Sequence, residues 1–169
     1  LLIDGNSTLA GAISIPQLAQ LTMNRGGWSL NLSGTIQITQ QLGLFGGNVS
    51  VGNGASVLLQ SSADTALVGG NSLSFVSGSL VRQLRPNLTP TTTQPIFYPI
   101  GRGISYLPLT LTEATTGTVA PQVGAEAFAT GAGGTPALGV PGALSTSEYW
   151  RLTPVSGSFT GARVGVTRG

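Results

Sequence analysis

Short apolar strands recur along the first half of this chain at a nearly fixed interval, each behind a turn of small residues. Four stretches carry the pattern: Leu9-Ala10-Gly11-Ala12-Ile13-Ser14-Ile15, Leu32-Ser33-Gly34-Thr35-Ile36-Gln37-Ile38, Asn53-Gly54-Ala55-Ser56-Val57-Leu58-Leu59 and Val76-Ser77-Gly78-Ser79-Leu80-Val81. Equivalent positions lie about 20 to 23 residues apart, within the range of solenoid coils. Apolar residues alternate with small polar ones, the period of a strand with one face in and one face out. A single coil cannot bury its apolar side alone; stacking on its neighbours does so. Trp28-Ser29-Leu30-Asn31-Leu32 aligns best with Val49-Ser50-Val51-Gly52-Asn53, each leading into a turn and then into Ile36/Ile38 or Val57/Leu59. The spacing predicts β-helix-like coils over residues 1–82, with an antiparallel meander of hairpins as the alternative.

The pattern stops at residues 83–95. Arg85-Pro86-Asn87-Leu88-Thr89-Pro90-Thr91-Thr92-Thr93-Gln94-Pro95 cannot form a central strand and favours extended conformations, so it reads as a linker or long surface connection. Beyond it, over 96–169, strands are longer, less regular and divided by Gly and Pro turns, as in a β-sandwich. Helical periodicity is nearly absent, with room for one turn between Pro16 and Leu21. The expected fold is all-β: a short β-solenoid-like N-terminal part, a Pro/Thr-rich connection and a β-sandwich-like C-terminal part.

Composition narrows the chemistry. The chain has no His, no Cys and, since its seven basic residues are all arginines, no Lys. Imidazole, thiol and amine chemistry are therefore missing. Asp4, Asp64, Glu113, Glu126 and Glu148 are its only carboxylates, and nothing in their spacing pairs two across a cleft as a glycosidase needs. Two Asp cannot build calcium cages in series, and Gly101-Arg102-Gly103 follows no βαβ pattern, so it is a turn rather than a phosphate loop. No catalytic residue, cofactor or metal is expected. Arg25, Arg82, Arg85, Arg102, Arg151, Arg163 and Arg168 are scattered, unlike the clustered basic face of a nucleic-acid binder. No segment approaches the roughly 18 apolar residues of a membrane span.

Charged residues make up 7% of the chain, against roughly 25% in an average domain. Such a surface offers little charge repulsion against self-association. Leu1, Leu2 and Ile3 at one end, and Val164 and Val166 at the other, lack charged gatekeepers. They are the candidate assembly residues, through coil stacking or donation of a terminal strand to a neighbour. The chain opens at Leu1 without an initiator Met, which leads us to expect a mature or excised portion of a longer precursor.

Three phrases carry a family resemblance. Asn71 to Arg82 includes Ser74-Phe75-Val76-Ser77-Gly78-Ser79-Leu80-Val81-Arg82; it is followed by Tyr98-Pro99-Ile100-Gly101 with Tyr106-Leu107-Pro108-Leu109-Thr110-Leu111, and then by Glu148-Tyr149-Trp150-Arg151-Leu152. In this order, over roughly 70–152, they resemble β-strand-repeat regions of very large secreted and cell-surface proteins of Bacteroidota. The resemblance implies an extracellular or cell-surface location and export by the type IX system. It also implies a reading for Asp64-Thr65-Ala66, which fits the O-glycosylation pattern of that phylum and makes Thr65 a candidate glycan site. It carries over no catalytic residues.

The expected function is that of an extracellular structural protein, either the subunit of a self-assembling filament or sheath or a module of a large adhesin. Its partner would be itself, as a head-to-tail homopolymer or tandem repeats, with surface glycans as a second class. The alternative is a carbohydrate-binding module with Trp28, Tyr106 or Trp150 as its platform.

Overall fold

In the computed structural model, which describes residues 2–3, 7–9, 17–131 and 145–168, the recurrent stretches that begin at Leu32, Asn53 and Val76 stack as parallel coils, while residues 10–15 of the first stretch lie outside the described residues. Strands β1 (Leu2–Ile3), β2 (Ser7–Leu9), β3 (Leu18–Leu32), β4 (Ile36–Val51), β5 (Val57–Leu59), β6 (Leu67–Gly69), β7 (Val76–Ser77), β8 (Leu80–Gln83) and β10 (Ile100–Arg102) supply the rungs. Their registers define three flanks. The first aligns Ile36 with Val57 and Val57 with Leu80. The second runs Leu2, Thr22, Gly43, Val68. The third runs Ser7, Leu30, Val49, Val76, Ile100. The result is a β-solenoid-like sheet of about four turns, and no α-helix occurs among the described residues. Where the sequence leaves room for a single helical turn between Pro16 and Leu21, Leu18 to Leu21 instead begin β3, and Pro16 lies outside the described residues.

Alternation fills the interior. Leu30, Ile38, Leu42, Leu44, Val57, Leu59 and Leu80 are fully buried, and each aliphatic side chain taken from water contributes about 1.5–3 kcal/mol. The turn before the first flank repeats as well, where the Thr35 and Ser56 hydroxyls hydrogen-bond at 3.2 Å.

One register differs from the expected alignment. Leu30 lies opposite Val49 and Leu32 opposite Val51, so the match of Trp28 with Val49 is displaced by two residues. Asn24 faces Gly46 and Ser29 faces Asn48, which leaves Arg25 to Trp28 bulging out opposite Gly47 alone. A Cβ at Gly47, whose φ is 81°, would lie 2.6 Å from the carbonyl oxygens of both Arg25 and Trp28. The bulge needs that glycine. A slip of two residues keeps each side chain on its own face, so the apolar pattern is preserved.

After β8 the chain leaves the helical path. Residues 84–95 form no strand but are pinned: the Leu88 amide donates to Thr116 Oγ1 (2.9 Å) and Thr93 Oγ1 to the Ala114 carbonyl (2.8 Å). β9 (Ile96–Tyr98) then leads into β10, and β11 (Ser105–Tyr106) folds back on β10 as a hairpin. β12 (Leu109–Thr116), β13 (Gln122–Phe128), β14 (Tyr149–Ser156) and β15 (Phe159–Val166) complete the chain.

These strands build two antiparallel layers. β13 pairs with β8, placing Ala125 opposite Leu80, and β14 pairs with β13. β9, β12 and β15 form a separate sheet in the order β15-β12-β9. The Tyr98 hydroxyl donates to the Val123 carbonyl (3.1 Å) and Trp150 Nε1 to the Leu107 carbonyl (2.9 Å), tying the layers together. One apolar cluster runs from Leu21 and Met23 in the coils to Val123 and Ala127 in this sandwich-like part. β12 carries a bulge where Glu113 adopts φ 54° and pairs with Arg163 at 3.3 Å.

Tyr98 gives this junction an alkaline limit. Burial pushes its phenol well above the ordinary value, with the nearby Arg82 charge opposing in part. The folded state holds the neutral form, so the stabilisation is whole below pH about 10 and is lost as pH rises past it, at about 1.4 kcal/mol per pH unit. Tyr98→Phe should flatten that fall while costing about 1 kcal/mol at neutral pH through the lost hydrogen bond. Urea midpoints measured from pH 8 to 12 check this. A residual slope is expected from Tyr106, whose phenol burial also raises.

Candidate assembly edge and arginine-floored cleft

Two features stand out from the closed core. The first is the edge strand β15. Antiparallel partners lie on one face, so Ile96, Leu111 and Val164 form one row and Tyr98, Leu109 and Val166 form the next. Tyr98, Leu109 and Leu111 are buried, but Val164 and Val166 are 47% and 45% exposed. The apolar rows of the core thus run out to an edge that is open among the described residues. The Thr167 amide donates inward to the Pro108 carbonyl (3.2 Å). Strand alternation then turns the amides of Val166 and Val164 outward, away from β12.

β14, which ends the larger sheet among the described residues, is different. β14 carries Pro154, which has no amide hydrogen to offer and so blunts an open edge. β15 holds no proline. At the opposite end of the stack, β1 pairs with β3 on one side only among the described residues, and Leu2 is 60% exposed. The side chain of Ile3, and Leu1 altogether, lie outside the described residues.

The second feature is a cleft of about 320 Å³ between the third coil and the 84–95 loop, whose lining includes Leu67, Gly69, Arg82, Gln94 and Phe97. It opens because the fourth coil contributes no strand to the second flank: β6 pairs with β4 and, among the described residues, with no strand below. At its floor is an inward-facing arginine. Ile38, Leu59 and Arg82 occupy one register position in successive coils. The first two are fully buried, and Arg82 is 7% exposed. Its Nη1 donates to the Phe97 carbonyl (2.7 Å) and its guanidinium lies 5.8 Å from the Tyr98 ring centre. Its Nε is buried with no hydrogen-bond partner. Burial lowers its pKa, opposed by Tyr98 and Asp64.

Most other arginines meet carboxylates. Arg85 pairs with Asp64 (2.6 Å), Arg102 and Arg151 share Glu126 (3.5 and 2.5 Å), Arg163 meets Glu113 and Arg168 meets Glu148 (3.1 Å). These pairs take up Asp64, Glu113, Glu126 and Glu148, while Asp4 lies outside the described residues. No metal-holding group of three His, Cys, Asp or Glu occurs among the described residues. No helix among them is long and apolar enough to cross a membrane.

The three candidate platform aromatics lie apart. Trp28 sits half-buried on the first-coil bulge with the Arg25 guanidinium 4.9 Å over its ring. Tyr106, on β11, packs against Phe75 with ring centres 5.5 Å apart. Four strand steps separate β3 from β11, about 19 Å at the usual strand spacing. Trp150 turns its indole N–H inward to Leu107 and packs on the core. Thr65 is exposed on the 3₁₀ turn Asp64–Ala66, where its carbonyl accepts from Gln41 Nε2 (3.2 Å).

The scatter of the arginines does not mark Arg82, although strand alternation through Leu80-Val81-Arg82 puts it on the inward side with Leu80. No protein-family model, no curated protein and no solved structure matches this chain.

Proposed function

We infer that this chain is an extracellular or cell-surface structural protein whose subunits associate head to tail, as a filament, a sheath or the tandem modules of an adhesin. The observation that carries this reading is the β15 edge, where two apolar core rows end in half-exposed valines and, among the described residues, the outward amides meet no strand. A further strand laid there would extend both rows and take those hydrogen bonds. The far end of the stack offers the outermost coil with exposed Leu2, and contact between unlike ends propagates rather than closing into a dimer. The sparse charge of the chain lowers the repulsion such a polymer must overcome. Paired carboxylates, engaged with arginines rather than converging on a cleft, favour a structural over a hydrolytic role. Electron microscopy of native material, with mass taken before and after denaturation, tests the reading. Filaments dissolving into chains of 17.0 kDa are expected of a polymerising subunit, and a covalent chain of far higher mass of tandem adhesin modules; a monodisperse 17.0 kDa monomer would contradict both.

A further inference from the structure

A buried guanidinium without a carboxylate is costly. The penalty of taking such a charge out of water is several kcal/mol unless hydrogen bonds and a counter-charge offset it. Arg82 has the Phe97 carbonyl and the Tyr98 ring, but its Nε is unpartnered and no salt bridge reaches it among the described residues. Asp64, the acid in the cleft lining, is engaged by Arg85. The cleft therefore holds two arginines and one carboxylate, a net charge of +1.

We propose that this cleft binds a uronic acid unit, with the sugar carboxylate on Arg82. One negative charge balances the site, whereas a phosphate dianion would leave excess charge beside Asp64. The volume, about 320 Å³, is at the small end of ligand sites and suits one sugar ring. The lining is mixed, as the surface of a pyranose is. Leu67, Ile96 and Phe97 supply apolar atoms for its C–H surface, while Gln83, Gln94 and Thr92 supply polar groups for its hydroxyls. This site is far from β15 in its chemistry and does not rest on the assembly reading.

Saturation-transfer NMR with D-galacturonate tests the proposal, since it reads ligand protons and works on free chains and assemblies alike. Saturable transfer is expected with galacturonate; D-glucose, which lacks the carboxylate, should bind at least about tenfold weaker, the loss of roughly one charge-assisted contact, and acetate, which keeps the carboxylate but lacks the ring and its hydroxyls, should bind more weakly too. Arg82→Met should weaken galacturonate binding by about tenfold or more. It should also keep or raise the melting temperature, because an apolar side chain replaces a buried charge. Gln94 is exposed at the rim, so Gln94→Ala leaves folding intact and should weaken binding severalfold even if Arg82→Met fails to fold. No saturable transfer, equal binding of glucose, equal binding of acetate, or binding unchanged in Gln94→Ala and in a folded Arg82→Met protein would each overturn the assignment.

Discussion

Gly101→Ala should destabilise the protein by about 3 kcal/mol or more, the upper range for forcing atoms into a packed core. Gly101 is buried on β10, between β7 on one side and β11 on the other. A Cβ there would drive into the Ser105 carbonyl oxygen and would lie 2.6 Å from the Phe75 ring. Phe75 is itself fully buried, so neither neighbour can retreat freely. Removing the ring tests this account of the crowding. Phe75→Ala alone should cost about 3–5 kcal/mol through its cavity, while Gly101→Ala with Phe75→Ala should cost less than the sum. The shortfall is partial because the backbone clash with Ser105 remains. Urea unfolding of the four proteins reads all three values; a Gly101→Ala protein within about 0.5 kcal/mol of the parent, the usual range for surface changes, would contradict this packing.

The same glycine shows how the sequence does and does not expose the structure. The turn-and-strand repeat aligned Ile36, Val57 and Leu80, and the coils keep that register, because small-residue turns and alternation are local signals. The Arg25-to-Trp28 bulge escaped an alignment that assumes equal coils. Its marks were the doublets Gly26-Gly27 and Gly46-Gly47, since glycine inside a strand often signals a bulge or close backbone approach. The pairing of β8 with β13 joins residues about 40 apart through a loop and another sheet. No periodicity reports such a contact, as it is fixed by which apolar faces remain uncovered after the coils form. Gly101 looked like part of a turn in Gly101-Arg102-Gly103. Its need for glycine comes from Phe75 and Ser105, one distant and one local.

The candidate residues divide in the same way. Val164 and Val166 were legible from terminal alternation, but their position at the end of two core rows is not, because it depends on the β9–β12–β15 order. Arg82 was hidden by its charge. An arginine on a strand is ordinarily read as solvated, and only its register with Ile38 and Leu59 places it inside.

Replacing Val164 and Val166 together by proline should abolish assembly while leaving the subunit folded. The outward amides of these two residues are not used by β12, so proline removes donors from the open edge without breaking the inner ladder. Their side chains are half exposed, so the subunit should lose no more than about 1 kcal/mol, most of it through partial packing on Leu109 and Leu111. A paired Val164→Lys and Val166→Lys protein should behave alike, because charge on an edge opposes strand addition.

The direct measurement is sedimentation of the parent and the double-proline chain at matched concentration, with circular dichroism to confirm that both are folded. The account predicts large, polydisperse particles for the parent and a single folded species near 17.0 kDa for the variant. Particles of equal size from both proteins, or a parent that sediments as a monomer, would contradict association through β15.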